Sequence, residues 1–493
     1  MGVMGYDLKF MERAIKLAKL GIGRVDPNPL VGAVIVKDGR IIGEGYHTGY
    51  GMPHAEREAL NNLTEPAQGA EMYINLEPCC HQGQQPPCTA AIIDAGIRTV
   101  YIGSQDPNPL VNGKGIWTLR RHGIEVVTGV MKKECDDLNH VFFHYITTRQ
   151  PYIVLKYAMT MDGKIATVSG ESRYVSGDFA RGRVRALRNQ YPAIMVGIGT
   201  VLADDPMLDT RRQKDRTPIR IVCDTHLDIP LDCKIIKSAG QIRTIIAAGE
   251  EASEKKKDKL RALEVEGAEV ILVPESYGKL DLCNLVLKIG SLGISGVMVE
   301  GGGRLAWGFI REGLVNEVVT FTAPKIFGGA GAITPVEGEG IDKIDEALPF
   351  HLVDSEILPG GDIYARYIIG PEPEEEGNTV EILPAEPVPI RHIEAQENKM
   401  IDVSTVLEEQ PQVTVSDLNE KLQEVKKAKA EKAEEIKAKA ENSAPADDGW
   451  STADDIPVKD ADEAPVELET RIVTEVLSAD LNPFNIDPKK ENK

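Results

Sequence analysis

The chain has 493 residues, of which 42% are hydrophobic, and it carries a net charge of −21. That length allows two or three domains with sizeable cores. The charge is unevenly placed: residues 371–493 hold 31 acidic and 14 basic side chains, whereas residues 1–370 hold 46 and 42. A folded part so close to neutral lacks the basic surface that most nucleic-acid-binding proteins need.

The first 148 residues alternate helix and strand signals. Apolar spacing predicts helices over 11–20, 54–61 and 88–95, and β-branched runs predict strands over 31–36, 40–45, 71–76 and 99–102. The turn between the first two strands, Asp38-Gly39, is a strong hairpin signal. We therefore predict an α/β domain with three layers over residues 1–148.

A second unit, residues 149–370, repeats short buried strands separated by helical stretches, which predicts a mostly parallel sheet. One of its helices is predicted over 179–189. Residues 371–493 form an acidic, low-complexity tail with the composition of a largely disordered segment. Within it, residues 416–441 are rich in Ala, Lys and Glu and could form a lone exposed helix.

Targeting signals and cysteine pairing bear on the compartment. The N-terminus lacks the apolar core of a signal peptide, and no apolar run approaches the roughly 20 residues of a membrane span. Seven cysteines are an odd number, and three of them lie close together, at 79, 80 and 88. Such a cluster predicts a metal or catalytic site in a reducing compartment rather than a disulfide framework. We expect a cytoplasmic protein.

The strongest chemical signal is His54-Ala-Glu56 followed by Cys79 and Cys88. A catalytic zinc takes three protein ligands and activates a water at the fourth position. One imidazole and two thiolates complete that set, and Glu56 lies close enough to move protons without binding the metal, as in the H-x-E motif of zinc deaminases. Two alternatives remain: a structural zinc held by Cys79, Cys80, His81 and Cys88, or buried cysteines without metal.

In the second unit, a strand feeds Gly301-Gly302-Gly303 and then a helix. Glycines there would let backbone N–H groups close on a phosphate at the helix N-terminus, although a simple tight turn explains the triplet equally well. Lys156, near the end of another strand, could donate a proton, orient a substrate or form a structural ion pair.

Several motifs together resemble a known family. They are HAE, DPNPLVGAVIV, LEPCCHQGQQPPC, QDPNPLVNGKG, LKYAMTMDGKIA, GTVLADDPMLDTR and VEGGGRLAWG. The chain resembles the bifunctional riboflavin-biosynthesis deaminase/reductase family over about 370 residues. The resemblance implies a cytidine-deaminase-like domain with Zn²⁺, followed by a dihydrofolate-reductase-like α/β domain that uses NADPH.

The resemblance also implies which residues line the two sites. In the deaminase half, substrate contacts are expected from Asn28, His47, His81, Asp106 and Asn108. In the reductase half, substrate contacts are expected from Ser172, Arg188, Leu208, Arg211 and Glu300, with the two arginines as forks for a phosphate. Cofactor contacts are expected from Ala158, Tyr174, Thr200, Asp204, Thr225, Gly302, Gly303, Arg304, Leu305, Ala306, Trp307 and Gly308.

Two positions depart from the family pattern. Cys80 stands where many members have Ser, which is a mild change. Gln84 stands where many members have Lys or Arg, so it can hydrogen-bond a phosphate but cannot offer a charge.

The predicted reaction is removal of the 2-amino group from a diaminopyrimidinone ribosyl phosphate, followed by NADPH-dependent reduction of the ribosyl chain. The partners are small-molecule substrates, without nucleic acid or membrane, and the chain could form a homo-oligomer. One alternative is a nucleic-acid or nucleoside deaminase with an appended domain. The other is a non-catalytic scaffold whose acidic tail binds a partner.

Overall fold

The computed structural model describes residues 6–82, 86–211, 216–370 and 380–383. Gln84 and the predicted helix 416–441 lie outside these residues. Within the described part, no helix is both long and apolar enough to cross a membrane.

The N-terminal domain is built on one mixed sheet. Its strands are β1 Gly32–Lys37, β2 Arg40–Tyr46, β3 Glu71–Leu76, β4 Thr99–Ser104 and β5 Glu125–Thr128. Its helices are α1 Leu8–Ala18, α2 Ala55–Asn61, α3 Cys88–Asp94, α4 Lys114–Arg121 and α5 Lys132–Thr148. A short 3-10 helix, Lys19–Gly21, extends α1. All predicted elements of this domain are present, whereas α4, β5 and α5 are additional.

Side chains along each strand point alternately to the two faces of this sheet, and both faces are covered by helices, which gives the three layers predicted from the sequence. One face packs on α1 and α5 through side chains such as Met11 and Cys135. The opposite face packs on α2, α3 and α4 through side chains such as Ala59, Ile92 and Leu119. The Asp38-Gly39 turn joins β1 to β2 as expected, because both residues adopt positive φ.

The second domain contains a nine-stranded sheet. Its strands are β6 Tyr152–Thr160, β7 Ala193–Gly197, β8 Ile219–Cys223, β9 Thr244–Gly249, β10 Glu269–Val273, β13 Gly296–Glu300, β14 Glu317–Ala323, β15 Phe350–Ile357 and β16 Ile363–Ile369. Two further strands of two residues each, β11 Glu275–Ser276 and β12 Lys279–Leu280, pair with each other in a separate hairpin. Its helices are α6 Asp178–Gln190, α7 Ile198–Asp204, α8 Lys234–Lys237, α9 Glu250–Lys255, α10 Lys257–Val265, α11 Leu282–Ser291 and α12 Gly303–Arg311. A 3-10 turn spans Ile344–Glu346.

The nine strands run in the order β10-β9-β8-β7-β13-β6-β14-β16-β15. The first seven are mutually parallel, and β16 and β15 continue the sheet in antiparallel fashion. Helices cover both faces: α6 to α10 pack on one and α11 with α12 on the other. The mostly parallel α/β class predicted from the sequence is confirmed, and the ends of β6, β7, β8 and β13 meet at one edge, where α/β proteins bind ligands.

One short strand was missed. β17, Glu381–Leu383, lies in the segment assigned to the tail, yet it pairs antiparallel with β5 and extends the first sheet. Val380 and Leu383 pack against the two faces of the first domain. The sequence did not predict β17, because a strand of three residues is too short to show an alternating pattern and the residues around it are acidic.

Candidate active sites

Three elements bring the predicted zinc ligands together in the first domain. His54 immediately precedes α2, Cys79 follows β3, and Cys88 is the first residue of α3. His54 Nδ1 lies 3.5 Å from Cys79 Sγ and 3.3 Å from Cys88 Sγ, and the three ligand atoms all lie within 4.8 Å of one another. One nitrogen and two sulfurs at this separation fit a zinc ion that keeps a fourth position open.

The electrostatics of Cys79 suit a metal ligand. The contact with Cys88, helped by the His54 ring, lowers the pKa of the Cys79 thiol, and the thiolate is the form that binds zinc. Cys80 lies apart, with Sγ 3.9 Å from the Leu110 carbonyl oxygen. Among the described residues, the metal-binding group contains neither Cys80 nor His81, so the alternative four-ligand site finds no support here.

Glu56 lies in the first turn of α2, two residues after His54, and its side chain is buried. Burial, and then the neighbouring Cys79 charge, raise the pKa of the Glu56 carboxyl. A buried carboxyl group that can hold or release a proton beside the metal ligands suits a general acid–base. The structure thus places the predicted proton carrier and the predicted ligands in one site.

His47 and Asn28 adjoin this site. The His47 ring stands 5.5 Å from the His54 ring, centroid to centroid. Its Nδ1 lies 3.1 Å from the Pro53 carbonyl oxygen, which can only accept, so Nδ1 carries the proton. Nε2 then accepts from Asn28 Nδ2 at 3.1 Å. Burial lowers the pKa of His47, and a neutral ring in this tautomer fixes the Asn28 amide next to the zinc ligands.

The second Asp-Pro-Asn-Pro turn carries Asp106 and Asn108. Asp106 is buried, which raises the pKa of its carboxyl to about 6, and its Oδ1 accepts the Asn108 N–H group at 2.8 Å. Asn108 Oδ1 in turn accepts the Leu110 N–H group at 3.1 Å. Both side chains therefore stabilise the turn, whatever else they contact. His81 Nδ1 is buried and has no hydrogen-bond partner among the described residues, which leaves it available to a ligand.

Sequence reasoning missed Glu77. Its buried carboxylate accepts four backbone N–H groups, from Asp106, Gly113, Gly115 and Ile116, at 2.9 to 3.3 Å. Two of those donors belong to the first turn of α4, where the helix dipole favours a negative charge. The available signal was an acidic residue directly after an apolar strand and before Pro78-Cys79. A lone glutamate in such a place ordinarily faces solvent.

In the second domain, Glu300 ends β13 and forms a buried ion-pair cluster. Arg188 donates Nε to Oε1 at 2.8 Å and Nη2 to Oε2 at 2.9 Å, and Lys156 Nζ lies 3.5 Å from Oε2. The Nε and Nη2 groups of Arg188, which we expected to bind the phosphate of the substrate, are thus bound to Glu300 instead. Its Nη1 donates to the Asp209 carbonyl oxygen at 2.9 Å. This difference arises because a buried carboxylate needs compensating charge.

The glycine triplet follows Glu300 directly. Gly301 and Gly302 have φ values of 82° and 85°, which disfavour residues with a side chain, and α12 begins at Gly303. A Cβ atom on Gly301 would lie 3.2 Å from Thr200 Oγ1, so the loop and α7 approach closely. This cradle of backbone N–H groups at a helix N-terminus fits the phosphate groups of a dinucleotide.

Other residues of this domain were expected to contact either the substrate, as Ser172 and Arg211, or the cofactor, as Tyr174, Ala158 and Thr225. Ser172 Oγ donates to Asp204 Oδ1 at 3.0 Å. Tyr174 is exposed, with the Arg181 guanidinium 4.8 Å from its ring centroid. Ala158 is in β6, and Thr225 directly follows β8. Arg211 is exposed and lies 3.8 Å from Asp209.

Three residues predicted to contact a ligand have side chains that pack against the protein instead. The side chains of Leu208 and Ala306 are buried in the two cores of the domain, so only their backbone could face a ligand. The Trp307 ring packs against Gly338. Arg304, Leu305 and Gly308 lie on the same helix, α12. Successive residues of a helix point in different directions, so a run of consecutive residues cannot all face a ligand.

These two sites define a class: a zinc-dependent deaminase domain joined to an α/β reductase domain with a dinucleotide cradle. Comparisons with known proteins agree. Residues 4–104 match the family model for the cytidine and deoxycytidylate deaminase zinc-binding region, and residues 151–361 match the RibD C-terminal domain.

Relatives extend the match across both domains. The riboflavin biosynthesis protein RibD of Actinobacillus pleuropneumoniae is 48% identical over 363 residues, which cover 74% of this chain and 95% of that protein. RibD of Escherichia coli is 41% identical over 357 residues, which cover 70% of this chain and 94% of that protein.

Solved structures give the same result. A deaminase/reductase from Thermotoga maritima is 35% identical, with a TM-score of 0.65, and covers 74% of this chain and 98% of its own. RibD of Acinetobacter baumannii is 34% identical, with a TM-score of 0.66, over 74% of this chain and 99% of that one.

The chain belongs to the family of the bifunctional riboflavin biosynthesis protein RibD. It is an enzyme of riboflavin biosynthesis with a deaminase and a reductase activity, and it uses Zn²⁺ and NADPH. The family predicted from the sequence motifs is confirmed. The alternatives of a nucleic-acid deaminase and of a non-catalytic scaffold are therefore set aside.

Proposed function

We propose that the first domain deaminates 2,5-diamino-6-ribosylamino-4(3H)-pyrimidinone 5′-phosphate. The second domain then reduces the ribosyl chain of the product to give 5-amino-6-(ribitylamino)uracil 5′-phosphate. The Thermotoga relative is described as a diaminohydroxyphosphoribosylaminopyrimidine deaminase/5-amino-6-(5-phosphoribosylamino)uracil reductase, which supports these substrates. The observation that carries the proposal is the convergence of His54, Cys79, Cys88 and buried Glu56.

In the first reaction, water adds to the ring carbon that bears the 2-amino group, and ammonia leaves. Zinc held by His54, Cys79 and Cys88 supplies an activated water when it is bound. Glu56 takes the proton from that water and returns it to the departing amine, so its raised pKa serves both directions. Asn28, fixed by neutral His47, would read the edge of the pyrimidinone ring.

In the second reaction, hydride passes to C1′ of the ribosyl chain, and NADPH supplies it when bound. The cradle at Gly301, Gly302 and Gly303 would hold cofactor phosphates. Glu300 would contact the substrate while Arg188 and Lys156 fix its position and charge. Lys156 would donate the balancing proton, because its Nζ lies 3.5 Å from the carboxylate of Glu300, the proposed substrate contact.

The domain boundaries are part of the proposal. Residues 1–148 form the deaminase domain and 149–370 the reductase domain, since α5 ends at Thr148 and β16 ends at Ile369. Residues 380–383 belong structurally with the first domain through β17, and the rest of 371–493 is the acidic tail. The nearly neutral charge of residues 1–370 supports small-molecule substrates over nucleic acid.

A cytoplasmic location is also proposed. It is supported by the free thiols of Cys79, Cys80, Cys88, Cys135, Cys223 and Cys233, which suit a reducing compartment.

The experiment supplies the diaminopyrimidinone to the full chain and follows ammonia release and NADPH oxidation. Wild-type protein should bind one zinc and oxidise NADPH only after deamination. Glu56→Gln should lose ammonia release, keep its zinc, and still oxidise NADPH when given the deaminated intermediate. Glu58→Gln, on the same helix, is the matched control and should keep both activities. Normal deamination by Glu56→Gln would refute the assignment.

A further inference from the structure

The turn that carries Asn28 is held by residues of the other domain. The Asp26 carboxylate accepts a short hydrogen bond from Ser295 Oγ, and Arg216 Nη1 lies 3.7 Å from its second oxygen. Ser295 is only 2% exposed. Both partners belong to the second domain, although Asp26 lies two residues before a predicted substrate contact of the first.

A second contact holds the start of the same turn. Gly23 has a φ of 77°, and a Cβ atom there would lie 2.4 Å from Asn189 Oδ1 and 2.9 Å from the Asn189 carbonyl oxygen. Asn189 follows Arg188 near the end of α6. Successive residues of one helix therefore contact the two different sites: Arg188 binds Glu300, and Asn189 packs on the turn.

The far end of the turn is anchored as well. The Leu30 N–H group donates to Asn139 Oδ1 at 2.8 Å, and the Leu30 carbonyl oxygen accepts from Asn139 and Asn75 at 3.0 and 2.9 Å. Asn28 thus stands between an anchor on Leu30 and an anchor on Asp26. Of the two, only the one on Asp26 comes from the reductase domain.

The contact at Asp26 matters because the carboxylate is largely buried. Burial raises the pKa of Asp26, and Ser295 and Arg216 reduce that rise by stabilising the charged form. Without them the carboxylate would move towards solvent and carry its neighbours along, since an unsatisfied buried charge is costly.

We propose that Ser295 and Arg216 are positioning residues for the deaminase: they hold Asp26 so that Asn28 meets the pyrimidinone. This inference rests on the substrate-binding role of Asn28 proposed above. Ser295 immediately precedes β13, and Glu300 is the last residue of that strand, so the two ends of one five-residue strand lie at the anchor of one site and at the ion-pair cluster of the other. The deaminase therefore depends on the docked reductase domain for substrate binding.

The test uses the full chain with zinc bound. Ser295→Ala, which removes a hydrogen bond to the carboxylate, and Arg216→Met, which removes an ion pair with it, should each raise the deaminase KM about five- to tenfold, while kcat changes less than about twofold. Reductase turnover of the deaminated intermediate and zinc content should stay at wild-type values, and the melting temperature should fall by no more than a few degrees. Ser291→Ala is the matched control, because among the described residues its hydroxyl bonds only within α11, to the Lys288 carbonyl oxygen at 2.7 Å.

Asn28→Ala separates the two levels of the argument. If it leaves the deaminase KM unchanged, the proposed role of Asn28 fails and the inference fails with it. If it raises KM but Ser295→Ala and Arg216→Met do not, the proposed function stands and the inference is overturned. A parallel loss of both activities together with a lower melting temperature would also overturn it, since that pattern indicates only a weakened interface.

Discussion

The Glu77 carboxylate accepts the backbone N–H group of Gly115 at 2.9 Å and shares its two oxygens with three further N–H groups. Glu77 precedes Cys79, a proposed zinc ligand, by two residues, and the segment that Glu77 binds carries Asp106 and Asn108. One side chain therefore joins the metal-binding loop to the turn proposed to contact substrate. A carboxylate can satisfy four donors in this way because it offers only acceptors.

We expect Glu77→Gln to damage the deaminase selectively. The amide would turn an NH₂ group towards N–H donors, leaving buried groups unsatisfied, which costs about 1–3 kcal/mol of the free energy of unfolding. The deaminase KM should rise while reductase activity persists. Urea unfolding and separate assays of the two activities would measure both effects.

The control for this change is Glu71→Gln at the opposite end of β3. Glu71 pairs with exposed Arg98 at 2.7 Å, and an exposed ion pair contributes no more than about 1 kcal/mol. If Glu77→Gln matched Glu71→Gln in stability and in deaminase KM, the carboxylate would have no positioning role.

The sequence foretold local features well and remote contacts poorly. The β1–β2 turn is encoded by two adjacent residues, Asp38 and Gly39, and the residues of the proposed zinc site lie within 35 residues of chain. Glu300 and Arg188 are 112 residues apart, and Ser295 and Asp26 are 269 apart. The sequence around each of these four residues does not identify its partner, because the two members of each pair come together only when the chain folds. Arg188 was for that reason assigned to a ligand rather than to Glu300.

Breaking the Glu300 cluster should destabilise the reductase domain. Glu300→Gln leaves the Arg188 and Lys156 charges buried without a counter-charge, and removing one partner of a buried pair costs about 3–5 kcal/mol. Reductase activity should fall by far more than deaminase activity. Arg188→Lys keeps the charge but loses the two-point contact, so we expect an intermediate loss.

Thermal unfolding and the two activity assays on both variants would check this order. A Glu300→Gln protein with wild-type stability and reductase turnover would contradict it.

The same cluster should show in the acid dependence of stability. Burial alone would raise the pKa of Glu300, but Arg188 and Lys156 outweigh it and lower the pKa from 4.5 to about 2. Since the folded-state value is the lower one, the carboxylate contributes stability that is fully present above pH 4.5 and is lost as the pH falls towards 2.

We therefore expect the stability advantage of wild type over Glu300→Gln to be constant near neutral pH. It should shrink by on the order of 3 kcal/mol between about pH 5 and pH 2. Urea unfolding of both proteins at a series of pH values would measure it. An advantage that did not change with pH would show that folding leaves the pKa of Glu300 at its ordinary value.

The last prediction concerns β17 and the tail. Glu381, Ile382 and Leu383 pair with Thr128, Val127 and Val126 of β5, which would otherwise be an open edge of the first sheet. A chain ending at Gly370 loses this strand, whereas a chain ending at residue 392 keeps it and lacks only the remaining tail. All the proposed site residues precede Gly370, so both shortened chains should keep both activities.

The chain ending at residue 370 should melt a few degrees lower, because it loses about 1–2 kcal/mol of backbone pairing and apolar packing. Hydrogen exchange at the amides of Val126 to Thr128 should quicken only in that chain. Equal melting and equal exchange in the two would show that β17 contributes nothing, and loss of either activity in both would place a functional group beyond residue 392.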